Sequence, residues 1–107
     1  MKEKIDDYID NHKMEMIEDI KKLVRINSER TKPKENMPYG EGPKNALDEA
    51  YNMMKCYGFD VKNYDNYVVT ADLNHKEKNL DILAHLDVVP AGEGWTVTNP
   101  FEPCNWK

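Results

Sequence analysis

The sequence predicts an α/β fold in which two amphipathic helices precede three strands. Apolar residues recur at steps of three and four over residues 4–25 and 43–57, which is typical of helices with one buried face. Three later segments, at about 59–64, 67–73 and 80–88, alternate apolar and polar residues or form short β-branched and aliphatic runs. We therefore expect the order helix, helix, strand, strand, strand within the 107 residues.

The first helix carries one apolar stripe on an otherwise charged surface. The stripe consists of Ile5, Ile9, Met16, Ile20 and Leu23. His12 fills a gap in it, and we interpret this histidine as a partly buried stripe residue rather than a metal ligand. The polar stretch from Asn27 to Gly42 has no period and is rich in proline and glycine, so it is predicted to be a loop. Loops of this length are usually functional or flexible.

The second helix has recognisable start and stop signals. Pro43 is expected at its first position, where the missing N–H is not needed. Gly58 is expected to end it, because a left-handed C-terminal cap favours glycine. Its inner face is made of Ala46, Leu47, Ala50, Met53, Met54 and Tyr57.

The strands follow this helix. Asp65-Asn66 is a turn signal between the first two strands, and a polar turn at 74–78 precedes the third. The third strand begins with the mostly apolar run from Leu80 to Ala84, which predicts a central position in a sheet.

Charge and composition narrow the classes of partner. The chain has 15 basic and 20 acidic residues and a net charge of -5, with acids dispersed among the lysines. Nucleic-acid binding needs a clustered basic face, so it is not expected. The sequence shows neither a signal-peptide pattern nor an apolar run of membrane-spanning length, and its two cysteines make no disulfide framework. These features predict a cytoplasmic protein that does not act on membranes.

His85 and Asp87 form the most distinctive pair of polar residues. Residues two apart on a strand point to the same face, so both side chains would project together from the end of the third strand. A neutral imidazole there can bind zinc, and a neighbouring carboxylate can fix the orientation of the ring. The two residues can instead form a hydrogen-bonded structural pair, and the spacing alone favours this interpretation over a metal site. One ligand does not complete a zinc site, which needs three or four.

The surroundings of this pair resemble a known motif. Leu83 to Trp95 is similar to the first metal-binding motif of the co-catalytic zinc peptidases related to aminoacylase, carnosinase and the PepV-type dipeptidases. Residues 23–28, 40–47 and 99–103 also resemble segments of this family, in the same order. The extension Pro90-Ala91-Gly92-Glu93-Gly94-Trp95 points to the dipeptidase branch. Ala84 stands where the family has glycine, and the likeness fades over residues 104–107.

The resemblance implies a role for two residues. His85 matches the zinc-binding histidine, and Asp87 matches the supporting aspartate that the family counts as catalytic. Trp95 matches a tryptophan near the site, although an aromatic anchor for the loop explains it equally well. No residue is assigned to substrate binding.

The resemblance also implies a larger enzyme. Family members have a three-layer αβα catalytic domain, of which residues 1–107 would be the N-terminal part, and a lid or dimerisation domain that is absent here. They hold two zinc ions and hydrolyse small peptides. We therefore expect a zinc-dependent dipeptidase in a full-length parent, and no activity from the isolated chain. The alternatives are a related aminoacylase, deacylase or tripeptidase, and a truncated, non-catalytic remnant that self-associates through its uncovered sheet.

Overall fold

A computed structural model describes residues 1–105, and its elements confirm the α/β class. Trp106 and Lys107, which end both the predicted domain and its divergent tail, lie outside the described residues. The elements are α1 (Lys2–Val24), α2 (Glu41–Cys56), β1 (Asp60–Tyr64) and β2 (Val68–Asp72). No helix in the described part of the chain is both long and apolar enough to cross a membrane.

Helix α1 has 23 residues and buries none of them. Its predicted apolar stripe is therefore largely open, with Ile5, Ile9 and Ile20 each 51% exposed. Ion pairs between residues one turn apart stabilise the helix, as between Lys2 and Asp6 at 2.6 Å. His12 is half-buried in the stripe, where its ring stacks on that of Tyr8 at 3.9 Å between centroids.

A tyrosine joins the two helices. The Tyr57 hydroxyl, just beyond α2, hydrogen-bonds to the carboxylates of Asp19 and Glu15 on α1, with an O–O distance of 2.9 Å to Glu15. The hydrogen bond to Asp19, followed by that to Glu15, raises the pKa of the Tyr57 hydroxyl above its ordinary value. The same bond from Tyr57, together with Lys22, lowers the pKa of the Asp19 carboxyl. This bridge ties a helix without buried residues to the rest of the protein.

The core lies on α2. Its buried residues are Pro43, Ala46, Leu47 and Ala50. The helix ends in a Schellman motif, in which the Phe59 N–H donates to Met54 O and the Gly58 N–H donates to Lys55 O. Gly58 has a φ of 88°, so the predicted glycine stop is confirmed. The small residues on this helix allow the hairpin β1–β2 to pack against it.

The hairpin is antiparallel, with Asp60 opposite Asp72 and Tyr64 opposite Val68. Asp65 and Asn66 form its turn with φ values of 53° and 61°, a conformation that aspartate and asparagine tolerate better than most residues. The turn signal in the sequence therefore marks the actual turn.

The third strand, predicted at about 80–88, is absent from the described residues. This segment has no regular secondary structure apart from one parallel bridge between Val88 and Glu29. Leu80, Ile82 and Leu83 are 78%, 85% and 99% exposed, so the segment is not a central strand. An apolar run becomes a strand only when a neighbouring strand accepts its backbone hydrogen bonds, and β1 and β2 pair only with each other.

Candidate functional site

The segment His85-Leu86-Asp87 lies at the surface, with its two polar side chains directed to each other. His85 Nδ1 is 3.0 Å from the backbone oxygen of Asp87 and 3.4 Å from its carboxylate oxygen Oδ1. The side chains are 85% and 62% exposed, so both remain open to solvent. The structure thus brings together the two residues that the sequence singled out.

This contact determines which ring nitrogen of His85 is available. A backbone carbonyl oxygen can only accept a hydrogen bond, so the Nδ1 atom that faces Asp87 must carry the hydrogen. In the neutral ring, Nε2 is then left with its lone pair. Metal-binding histidines commonly have this arrangement, in which one nitrogen donates to an oxygen and the other binds the ion.

The contact between His85 and Asp87 forms in a different way from the one that the sequence predicted. We expected a shared strand face to align the two side chains, but the segment is not a strand. The histidine instead folds back locally onto the residue two positions later. The roles of His85 as a metal ligand and of Asp87 as a catalytic carboxylate remain predictions.

Contacts from the loop after α1 hold this segment, and no pattern in the sequence indicates them. The Ser28 hydroxyl donates to the carbonyl oxygen of Leu86 at 2.8 Å. The Val88 N–H donates to the carbonyl oxygen of Ser28 at 3.3 Å, and the Ala91 N–H donates to Glu29 Oε1 at 3.3 Å. A polar loop without periodicity offers no pattern from which such partners, about sixty positions away, could be inferred.

Trp95 closes the loop that follows. Its indole N–H donates to the carbonyl oxygen of Ala91 at 3.0 Å, while the side chain stays 51% exposed. The tryptophan therefore anchors the turn of the Pro90–Trp95 extension.

The described residues fit one part of a zinc site. His85 would supply one nitrogen ligand and Asp87 a supporting oxygen, whereas zinc takes three or four ligands. Across residues 1–105, no group of three or more histidine, cysteine, aspartate or glutamate residues is close enough to hold a metal ion.

Comparison with known proteins gives a consistent class. No protein-family model matches the chain. A protein named "Putative dipeptidase" from Staphylococcus epidermidis is 42% identical over 104 residues, covering 95% of this chain and 21% of that protein. Two proteins whose names also begin with "Putative dipeptidase", from Staphylococcus aureus strains USA300 and NCTC 8325, are each 40% identical over 104 residues, with the same coverage.

The extent of this similarity matters for the site. The chain spans about a fifth of the length of these relatives. Because 95% of the chain is aligned, only about five residues lie outside the match (5% of 107), so His85 and Asp87 fall within it. The chain is thus similar to one part of proteins named as dipeptidases, and the matched stretch of this chain includes His85 and Asp87.

Proposed function

We propose that this chain carries the first metal-binding motif of a zinc-dependent dipeptidase. The observation that carries the proposal is the contact of His85 Nδ1 with the backbone oxygen of Asp87 at 3.0 Å, which leaves Nε2 free to bind an ion. The names of relatives that are 40–42% identical over 95% of the chain support the substrate class.

Each residue of the pair has a separate task in this proposal. His85 keeps its proton on Nδ1 and offers Nε2 as the ligand. The Asp87 backbone oxygen fixes the ring, and its carboxylate, 3.4 Å from Nδ1, adds negative charge beside a ring that faces a cation. Zinc, when bound, would supply polarisation of the scissile carbonyl and activation of water.

The remaining ligands and the general base are proposed to come from parts of a longer protein of the relatives' length. The ligand count supports this, because the described residues contain no three-residue cluster suited to a metal. We accordingly propose that the chain by itself does not hydrolyse peptides and that small peptides are the substrates of the complete enzyme.

The test of this proposal is a chimera. The matched segment of the chain replaces its counterpart in the Staphylococcus epidermidis relative, and zinc-dependent dipeptide hydrolysis is measured. We expect hydrolysis by the chimera and a loss of at least a hundredfold for His85→Ala. His75→Ala is the matched control, since His75 is also an exposed histidine and lies outside the motif. Undiminished hydrolysis by the His85→Ala chimera would refute the role of His85.

The substrate panel in the same experiment separates the alternatives. Preference for N-acyl amino acids would indicate an aminoacylase or deacylase, and preference for tripeptides would indicate a tripeptidase. A chimera without activity, together with a 107-residue chain that self-associates regardless of zinc, would favour the non-catalytic remnant. The exposed run of Leu80, Ile82 and Leu83 is the surface on which such association would depend.

A further inference from the structure

Ser28 is the one polar residue found buried in the described part of the chain, with 3% of its surface exposed. Its hydroxyl donates to the carbonyl oxygen of Leu86, the residue between His85 and Asp87. A buried hydroxyl is costly without a partner, so this bond is a strong constraint on both groups. It connects the loop after α1 with the centre of the proposed metal motif, 58 positions away.

The backbone and a second side chain extend the contact. The Val88 N–H donates to the Ser28 carbonyl oxygen at 3.3 Å, and Val88 forms a parallel bridge with Glu29. Glu29 Oε1 accepts from the Ala91 N–H at 3.3 Å. Ser28 and Glu29 thus form three hydrogen bonds with the segment from Leu86 to Ala91. We call this set of three hydrogen bonds the Ser28–Glu29 clamp.

The loop that carries the clamp lies close against the start of α2. A Cβ atom on Gly42, in the first turn of α2, would lie 2.0 Å from the carbonyl oxygen of Asn27 and 3.4 Å from the Cα of Ser28. The loop is therefore packed directly against the start of α2, whose Pro43 is buried. The loop therefore contacts both the start of α2 and the motif, so it sets the position of the motif relative to the core helix.

The rest of the motif has few constraints of its own. Leu80, Ile82 and Leu83, just before it, are at least 78% exposed and belong to no strand. The contact between His85 and Asp87 spans two residues and moves with the segment, so it orients the ring without placing it relative to the helices. Placement must come from contacts with the remainder of the fold.

We infer that Ser28 is a positioning residue for the His85–Asp87 pair and that Glu29 assists it through Ala91. Within the proposed function, on which this inference rests, the clamp sets where His85 Nε2 stands relative to α2. Other ligands of a metal site converge on one point only if each is held there, so loss of the clamp would leave the ring intact but misplaced.

The experiment measures amide hydrogen exchange and backbone order by NMR on the 107-residue chain. Ser28→Ala is expected to lower protection of the Val88 amide roughly tenfold and to lower the order parameter of Leu86, because the Leu86 carbonyl loses its donor. Ser28→Thr keeps a hydroxyl and should restore both. Thr98→Val is the matched control, because it also removes a hydroxyl-to-carbonyl bond, but one within the 98–102 turn.

A second variant separates the clamp from general destabilisation. Glu29→Ala should expose the Ala91 amide while Val88 stays protected, and Glu29→Gln, which keeps a side-chain oxygen, should preserve Ala91. Amides of α2 should be unchanged in every variant, since loss of protection there would reflect unfolding rather than an open clamp. The inference would be overturned if the Val88 amide kept its protection in Ser28→Ala and the Ala91 amide kept its protection in Glu29→Ala.

Zinc titration of the chimera, in which the remaining ligands would come from the relative, tests the proposed function independently. The ¹⁵N signal of His85 Nε2 should shift with zinc, while those of His12 and His75 serve as internal references. A zinc-insensitive His85 in the chimera, together with a clamp that responds as described in the 107-residue chain, would contradict the metal assignment and leave the clamp standing. A His85 signal that shifts with zinc, with no effect of Ser28→Ala on Val88 or Leu86, would support the metal assignment and contradict the clamp.

Discussion

His85 Nδ1 lies closer to the backbone oxygen of Asp87, at 3.0 Å, than to the carboxylate oxygen of the same residue, at 3.4 Å. The main chain therefore makes the closer contact with the ring, and the carboxylate is the second partner. The two contacts separate functions that the aspartate side chain of such a pair usually combines. Here the backbone oxygen of Asp87 determines which ring nitrogen is protonated, and its carboxylate supplies the negative charge.

We predict that Asp87→Ala leaves the proton of the neutral His85 ring on Nδ1, because the acceptor at 3.0 Å is a backbone atom that the substitution retains. The ¹⁵N chemical shifts of the two ring nitrogens report this directly. Zinc binding in the chimera should nevertheless weaken about tenfold or more, as is usual when the carboxylate partner of a ligand is removed. A switch of the proton to Nε2 would show that the carboxylate controls the ring.

We predict that Tyr57→Phe raises the pKa of Asp19 toward its ordinary value of 3.8, since the hydrogen bond from Tyr57 is the main cause of its lowering. A carboxyl titration followed by ¹³C NMR measures this change. Tyr64→Phe is the matched control, because Tyr64 and Tyr57 are both 53% exposed. An unchanged Asp19 titration in Tyr57→Phe would mean that the bridge between the helices does not form in solution.

The same bridge predicts a pH dependence of stability. A carboxyl whose pKa is lowered by folding stabilises the fold above 3.8, and this contribution disappears as the pH falls through the lowered value. The Tyr57 hydroxyl, whose pKa is raised, contributes fully below its ordinary 10.0 and loses its effect as the pH rises beyond that value. Denaturant unfolding across this range should show both losses in the natural chain, whereas Tyr57→Phe should lack the loss at high pH and show a smaller loss at low pH, because Lys22 still lowers the pKa of Asp19.

We predict that Gly42→Ala destabilises the chain by about 1–3 kcal/mol, the usual cost of overpacking. The new methyl group would overlap the Asn27 carbonyl oxygen, which is backbone and cannot swing away. Asn45→Ala, at an exposed position of the same helix, should leave the stability unchanged or raise it slightly. Equal stabilities of the two variants would show that the loop does not lie against α2.

We predict that Leu47→Ala costs about 2–3 kcal/mol in the free energy of unfolding, because Leu47 is only 8% exposed in a small core. Leu83→Ala, the same change at a residue 99% exposed, should cost less than about 0.5 kcal/mol. The pair tests the finding that the third predicted strand is not part of the core. Similar costs for both substitutions would place Leu83 in a packed environment.

Local patterns accounted for the regular elements of this fold. The helical periods predicted α1 and α2, Gly58 marked the end of α2, and Asp65-Asn66 marked the hairpin turn. Each of these depends on residues close together in the chain. The sequence also identified His85 and Asp87, whose contact spans two positions.

The sequence did not predict what depends on distant partners. The run from Leu80 to Ala84 has the composition of a strand, but a strand also requires a neighbour, and composition does not supply one. Ser28 and Glu29 lie in a loop without a period, and their partners at Leu86 and Ala91 are 58 and 62 positions away. Only the folded chain shows that this loop supports the motif.

Because α1 has 23 residues and none of them is buried, its helical state depends mainly on forces within the helix itself. Heating should therefore unwind it gradually from its ends, whereas α2 and the hairpin share a core and should melt in a single step. Circular dichroism would then report a loss of helix that begins well below the calorimetric transition. A single melting temperature would describe only the part of the molecule that contains Leu47, and α1 would have no sharp transition of its own.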